Sequence, residues 1–320
     1  MSNITEQIGY TPPLTVILPN YNHAPFLAKR IDSILQQTYQ DFELIILDDK
    51  STDQSLHVIQ QYEHHPKVSH VIANKHNSGS TFLQWKKGVH MAKGKYIWIA
   101  ESDDFSENTF LETLLPFIER DKKIALVYAQ SDDVDTHGNY IRNRIFWTED
   151  FTPNIWRNDF VIEGNDFINQ FMLYKNVIPN ASAVIFRKDV FIDRYNPIVA
   201  HMKMAGDWLL WLSMIAGHKV AFVSSPLNKF RKHEATTRVH NTHEKKRRRI
   251  EEEVEVINAA SAYAGINQQI IQNRYKATLN NWFILFPYYK NMFRKDYYNI
   301  CRQKNLSPLS LIVKRLRYKK

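Results

Sequence analysis

Four short apolar runs, each ending on oxygen- or amide-bearing side chains, constrain this 320-residue chain more than any other feature. They occupy residues 14–19 (LTVILP), 42–48 (FELIILD), 68–73 (VSHVIA) and 95–100 (KYIWIA). Runs of this length read as strands, the first two as buried strands. Between them the apolar residues recur at helical spacing, as Phe26, Leu27, Ile31, Ile34 and Leu35 do within 24–37. Helices are expected over 24–37, 53–63, 80–92 and 107–120, followed by a fifth strand at 124–129 (IALVYA). Strands alternating with helices make βαβ units, hence a Rossmann-like α/β fold with a mainly parallel sheet. In such sheets ligands bind beyond the carboxyl ends of the strands. There the chain places Asn20, Tyr21 and Asn22, then Asp48 and Asp49, then Asn74 and Asn77, and last Glu101, Asp103 and Asp104.

Beyond residue 130 the pattern loosens. Residues 131–162 read as a loop-rich segment anchored by Phe146, Trp147 and Trp156. A strand is expected at 182–187, an apolar helix at 207–216, a strand at 219–223 and an edge strand at 227–231. From about 243 the chain becomes helical and basic, with helices expected to pack on the α/β domain. The net charge of +9 belongs to this last quarter: residues 244–320 carry 17 Lys and Arg against 6 Asp and Glu, whereas residues 1–243 carry 25 against 27.

KKRRR (245–249) is a basic run without a nucleic-acid-binding motif around it, so no nucleic acid partner is expected. WFILFPYYKNMF (282–293) and LSLIVKRLRYKK (309–320) mix apolar and cationic residues as interfacial segments do, and suit an anionic membrane surface or a solvated basic tail. No run approaches the ~18 apolar residues that a spanning helix needs. The N-terminal residues 1–12 are polar, without the pattern of a secretory signal, and are expected to be disordered. Cys301 is the single cysteine, which excludes an internal disulfide and a cysteine-built zinc site and fits a reducing compartment. The expectation is a cytoplasmic protein, peripheral at most at the inner face of the cell membrane.

The segment WIAESDD (98–104) crowds carboxylates at the end of a buried strand. Unpaired, such charges repel and are costly to desolvate. A divalent cation that prefers oxygen ligands resolves the conflict. Taken alone, Asp103 and Asp104 serve equally well as helix caps. Likewise Asp49 alone suits a turn, and Asp207 alone suits a helix N-terminus.

Three ordered blocks go further. TVILPNYNHAPFLAKRIDSILQQTYQDFELIILDDKSTDQS (15–55), NSGSTFLQWKKGVHMAKGKYIWIAESDD (77–104) and AGDWLLWLSMIAGHKVAFVSSPLNKFRKHEATT (205–237) resemble, in order and spacing, the blocks of the family 2 glycosyltransferases, which have the GT-A fold. The resemblance ends near residue 240. It implies a GT-A domain over 13–240, with a nucleotide-binding half (13–130) and an acceptor and catalytic half (131–240), followed by a basic helical extension over 241–320.

It implies as well an inverting, metal-assisted transfer of sugar from a nucleotide-diphospho-sugar of the UDP or dTDP type to a glycan or lipid-linked acceptor. Pro19, Asn20, Tyr21, Asp48 and Asp49 match positions around the nucleotide, as do Glu101 and Ser102. Asp103 and His233 match ligands of a divalent metal, Mn²⁺ or Mg²⁺. Asp207 matches the general base, and Arg231 and Trp208 fall at diphosphate and acceptor positions, although the i, i+3 spacing of Trp208 and Trp211 also suits core residues. Two positions depart from the family pattern: Glu101 stands where Asp begins the DxD motif, and Gly206 stands where an acidic residue precedes the base. A sugar-phosphate nucleotidyltransferase is the rival enzyme, disfavoured because PNYNHAP replaces a Gly-rich phosphate loop after the first strand, and the chain has only 9 glycines. A non-catalytic nucleotide-sugar binder is the second rival, opposed by the joint presence of Asp103, Asp207 and His233.

Overall fold

The computed structural model describes residues 11–233 and 242–285, with Tyr298, Cys301 and Ser307. The N-terminal residues 1–10 and the cationic segments 286–293 and 309–320 lie outside the described residues.

Alternation begins as the sequence suggests: β1 (Leu14–Asn20), α1 (Ala24–Leu35), β2 (Phe42–Asp48), α2 (Ser55–Gln60), β3 (Val68–Ala73), α3 (Thr81–Met91), β4 (Tyr96–Ile99), a two-residue β5 (Phe105–Ser106), α4 (Phe110–Arg120) and β6 (Ile124–Val134). Then follow β7 (Tyr140–Asn143), β8 (Phe160–Glu163), the short α5 (Gly164–Phe167), β9 (Val184–Arg187), α6 (Lys188–Arg194), α7 (Gly206–Ile215), β10 (Lys219–Arg231), α8 (His243–Ser261) and α9 (Gln268–Leu285). The described strands form one ten-stranded sheet in the order β3-β2-β1-β4-β9-β6-β10-β5, with β7 on β6 and β8 on β10.

The sheet is mixed. Strands β3, β2, β1 and β4 run parallel, as do β6 and β10. Between these groups β9 is antiparallel to both of its neighbours.

In β1, β2 and β4 the apolar runs are buried throughout because helices cover both faces, whereas the edge strand β3 alternates between half-buried and exposed positions. Leu14, Val16 and Leu18 of β1 pack with Leu27 and Ile31 of α1 and Leu114 of α4. Ile17 points the other way, into a core with Trp85 and Val89 of α3 and Trp211 of α7. Helix α3 lies low on β1 because residue 88 is glycine: a Cβ there would stand 2.5 Å from Ile17 Cγ2.

Two readings of the second half change. Residues 219–231 form one strand with register shifts rather than two strands. Strand β6 continues through the polar QSDDV, buried throughout. Asp133 there accepts from Arg144 Nη1 at 2.6 Å and Arg142 Nε at 3.2 Å, and Asp132 accepts from Lys229 Nζ at 2.8 Å. Helices α8 and α9 pack on the domain, and Val254, Ile257, Ala260, Ile271 and Tyr275 share the core that contains Trp211.

Candidate active site

The loop after β4 is the centre of the site. Ala100 N donates to Ile17 O at 2.8 Å, which ties the end of β4 to β1. Glu101 then accepts at Oε1 from Trp85 Nε1 at 2.7 Å and from Thr81 Oγ1 at 3.4 Å, both on α3. Burial first, and then the charge of Asp103, push the Glu101 carboxyl up to about 8. Asp104 is fully buried and accepts the Arg231 backbone N–H at 2.9 Å. Burial and the charge of Asp103 raise it to about 6. Asp103 behaves in the opposite way: burial works against its charge, but the hydrogen bond from His233 and the charges of His23 and His233 hold it below the ordinary carboxylate value.

His233 Nε2 lies 3.0 Å from Asp103 Oδ2. A second imidazole joins them that the sequence reading did not single out. His23 is the N-cap residue of α1, and its Nδ1 pairs with Ser102 Oγ at 2.8 Å. One ligand atom each from His23, Asp103 and His233 lie within 4.8 Å of one another. The available signal was the histidine in the loop directly after β1, a polar residue at the ligand-binding edge of the sheet. Burial lowers the pKa of His23, opposed by the charge of Asp103, so its ring favours the neutral form that a cation requires.

At the nucleotide end the expected residues divide. Tyr21 is 47 % exposed, whereas Pro19, Asn20 and Asp48 are buried. Pro19 is buried inside β1, in register with Leu47 of β2. Asn20 Nδ2 donates to Asp48 Oδ1 at 2.8 Å, and Asp48 Oδ2 accepts the Ser51 N–H at 2.8 Å, so this buried pair braces the loops that carry Tyr21. Asp49 sits in a polar cluster drawn from the loop between β3 and α3 and from α3 itself. Its Oδ1 accepts from Asn74 Nδ2, Ser78 N and Gln84 Nε2 at 2.7, 2.9 and 3.0 Å, and its Oδ2 accepts from Ser78 Oγ at 2.7 Å.

Two further assignments are corrected. Arg231 spends Nε on Asp103 O at 2.7 Å and Nη1 on Asp135 O and Thr136 O at 3.1 and 2.8 Å, and lies over the Phe26 ring. It holds the carboxylate loop in place rather than reaching for a diphosphate. Trp208 is 2 % exposed, with its indole N–H on Met172 O at 2.9 Å, and so is a core residue rather than an acceptor contact.

Asp207 lies in the first turn of α7, whose N-cap is Ala205, so it does not serve as the cap. Its Oδ2 accepts from Asn176 Nδ2 at 3.2 Å and its Oδ1 from Trp208 N at 2.8 Å. Helix α7 is brought to the carboxylate loop through α3. Trp211, one turn after Asp207, stacks on Trp85, the donor to Glu101, with centroids 5.7 Å apart. At the helix start a Cβ on Gly206 would stand 2.5 Å from Phe82 Cε2, so the missing acidic neighbour has a steric cause. The loop before α7 is fixed by Glu252 of α8, which accepts the N–H groups of Lys203, Met204 and Ala205 at 2.8, 2.8 and 2.9 Å. Glu252 carried no signal in the sequence, since its partners before α7 stand 47 to 49 positions away.

This geometry has counterparts. Residues 15–191 match the model of glycosyl transferase family 2. The chain belongs to that family. Among family 2 relatives, the chondroitin synthase of Escherichia coli is 33 % identical over 137 residues, which is 42 % of this chain and 20 % of that protein. A putative teichuronic acid biosynthesis glycosyltransferase, TuaG of Bacillus subtilis (strain 168), is 34 % identical over 110 residues, 34 % of this chain and 43 % of that one. The matched region thus spans less than half of either relative. Solved structures share the fold. S. aureus TarS 1–349 in complex with UDP-GlcNAc superposes with a TM-score of 0.64 at 18 % identity, over 84 % of this chain and 72 % of that one. The mannosyltransferase PcManGT of Pyrobaculum calidifontis, in complex with GDP-Man and Mn²⁺, gives 0.57 at 16 %, over 97 % and 89 %. The GT-A architecture expected from the sequence is therefore the one observed. Among the described residues no helix is long and apolar enough to cross a membrane.

Proposed function

We propose that this family 2 protein is an inverting glycosyltransferase that moves sugar from a nucleotide-diphospho-sugar to an acceptor hydroxyl, assisted by a divalent cation. The convergence of Asp103, His233 and His23 at the edge of the sheet carries the reading. One carboxylate and two imidazoles suit a transition ion such as Mn²⁺ better than Mg²⁺, which favours oxygen donors. The pairing of His23 Nδ1 with Ser102 Oγ leaves Nε2 for an ion, an outer contact typical of ligating histidines. When bound, the cation supplies positive charge where the diphosphate leaves.

The remaining steps belong to the chain's own side chains. Tyr21 stacks on the base and the Asp49 cluster reads its edge, while Glu101, pinned by Trp85 and Thr81, lines the ribose side. Asp207 takes the proton of the acceptor hydroxyl as that oxygen attacks the anomeric carbon from the face opposite the leaving group, and a single displacement inverts the centre. A UDP-type donor is supported by the nucleotide bound to TarS. A polymeric acceptor in surface-polysaccharide or lipid-linked glycan synthesis is supported by the relatives named above. A peripheral contact of the C-terminus with anionic membrane is supported by the surplus of 17 basic over 6 acidic residues in 244–320.

The reading is tested by screening nucleotide sugars for thermal stabilisation with and without Mn²⁺, then determining the anomeric configuration of the product. Inversion with Mn²⁺-dependent donor binding is expected. A retained configuration, or turnover indifferent to EDTA, overturns it.

A further inference from the structure

A groove of about 550 Å³ opens between the start of α3, the segment from Tyr195 to Lys203, and α8. Its charged lining is of one sign: Lys86, Lys203 and Arg248, with His201 beside them and no carboxylate among the lining residues. The acid nearest Arg248, Glu252, is 3.9 Å away and is occupied by the three backbone N–H groups before α7. Two residues lining the groove carry buried hydroxyls without hydrogen-bond partners. Ser80 is 8 % exposed and its Oγ makes no hydrogen bond, although it is the N-cap of the 11-residue α3. The Tyr195 hydroxyl is likewise buried without a partner, and Lys86 Nζ lies 5.1 Å from the centre of the Tyr195 ring.

Unspent hydroxyls cost stability unless something else satisfies them. Ser80 stands at the positive end of the α3 dipole, and Lys86 and Arg248 line the same groove, where Lys203 Nζ donates to Gly79 O; the arrangement favours anionic oxygen. The volume suits an oligosaccharide segment, and an aromatic ring beside cations suits a sugar that bears charge. The groove adjoins the donor end of the site, because Ser78 lines it and bonds Asp49 at 2.7 Å.

We propose that this groove binds an oxyanion, phosphate or carboxylate, carried by the acceptor glycan. Only the word acceptor rests on the glycosyltransferase reading; the anion site rests on the groove. The intact protein is titrated with fluorescent tetragalacturonate (carboxylate), with oligo(glycerol phosphate) and with neutral cellotetraose, and UDP–Mn²⁺ affinity is measured in parallel. At least one anionic probe should bind ten-fold or more tightly than cellotetraose, and the two anionic arms identify which oxyanion is taken. Lys86→Ala with Arg248→Ala should weaken that binding at least ten-fold, and Ser80→Ala by a smaller factor, with UDP affinity kept within two-fold. The proposal fails if the groove variants bind the anions like wild type, as they would if Lys314, Arg315 and Arg317 were the true contacts. It fails equally if saturating UDP displaces the oligosaccharide. Loss of UDP binding in the wild-type protein would instead refute the donor reading and leave the anion titration standing.

Discussion

Trp85 donates its indole N–H to Glu101 Oε1 at 2.7 Å while its ring stacks on Trp211 with centroids 5.7 Å apart. One side chain of α3 thereby couples the carboxylate loop after β4 to the helix that carries Asp207.

Glu101 gives the pH prediction. Its carboxyl is pushed from 4.5 up to about 8, so between those values the folded chain holds a proton that the unfolded chain releases. Stability of the metal-free protein should fall as pH rises across that window. Glu101→Gln removes the titration. Its melting temperature should match wild type near pH 5 and exceed it at pH 8, measured in EDTA. A constant difference across the range would contradict the assignment.

Asp207→Asn should keep nucleotide-sugar affinity within a few-fold and lower transfer by roughly 10² or more, the range for removal of a positioned general base. Single-turnover kinetics beside donor titration separate the two effects. Near-normal turnover would remove Asp207 from the mechanism.

His23→Ala should weaken Mn²⁺ binding, read by electron paramagnetic resonance of free Mn²⁺, by about 10-fold or more, while Ser102→Ala has a smaller effect. Unchanged Mn²⁺ affinity in His23→Ala would leave Asp103 and His233 as the ligands.

Glu252→Ala strips three backbone N–H groups of their acceptor. About 1–3 kcal/mol of destabilisation is expected, and Glu252→Gln should recover part of it because the amide oxygen still accepts. Chemical denaturation checks both, and a loss below the error of the measurement would show that the loop before α7 finds other partners.

Gly206→Glu restores the acidic neighbour common in the family but drives a side chain into Phe82. Overpacking of this kind costs about 1–3 kcal/mol. Phe82→Ala in the same chain should relieve the clash, so the double variant should be more stable than the sum of the single losses. Strict additivity would rule out the steric account.

The strands β1, β2 and β4 were legible because burial on both faces leaves an unbroken apolar run, and their polar ends marked the site. Strand β6 was read too short because Asp132 and Asp133 look like a loop until their partners arrive, Lys229 from β10 and Arg144 from the turn after β7. The antiparallel β9 carries the same apolar signature as a parallel strand, so its direction was not visible. Asp103, His233 and Asp207 could be named because they fall in recognisable blocks. His23 and Glu252 could not, since each acts through a pairing set only by the fold. Arg231 and Trp208 were misjudged for the complementary reason: proximity in sequence to site residues says nothing of which way a side chain turns.

His233 stands 130 positions after Asp103, and Ser102, the partner of His23, stands 79 positions after it. The three-residue cluster is therefore assembled from both ends of the α/β domain and from its middle. A chain emerging from the ribosome cannot complete that cluster until β10 has been released and laid beside β6. Full-strength ion capture by a nascent or truncated protein would thus report completion of the domain, and a fragment ending before residue 233 should bind Mn²⁺ more weakly than the full chain, however well its first four strands have formed.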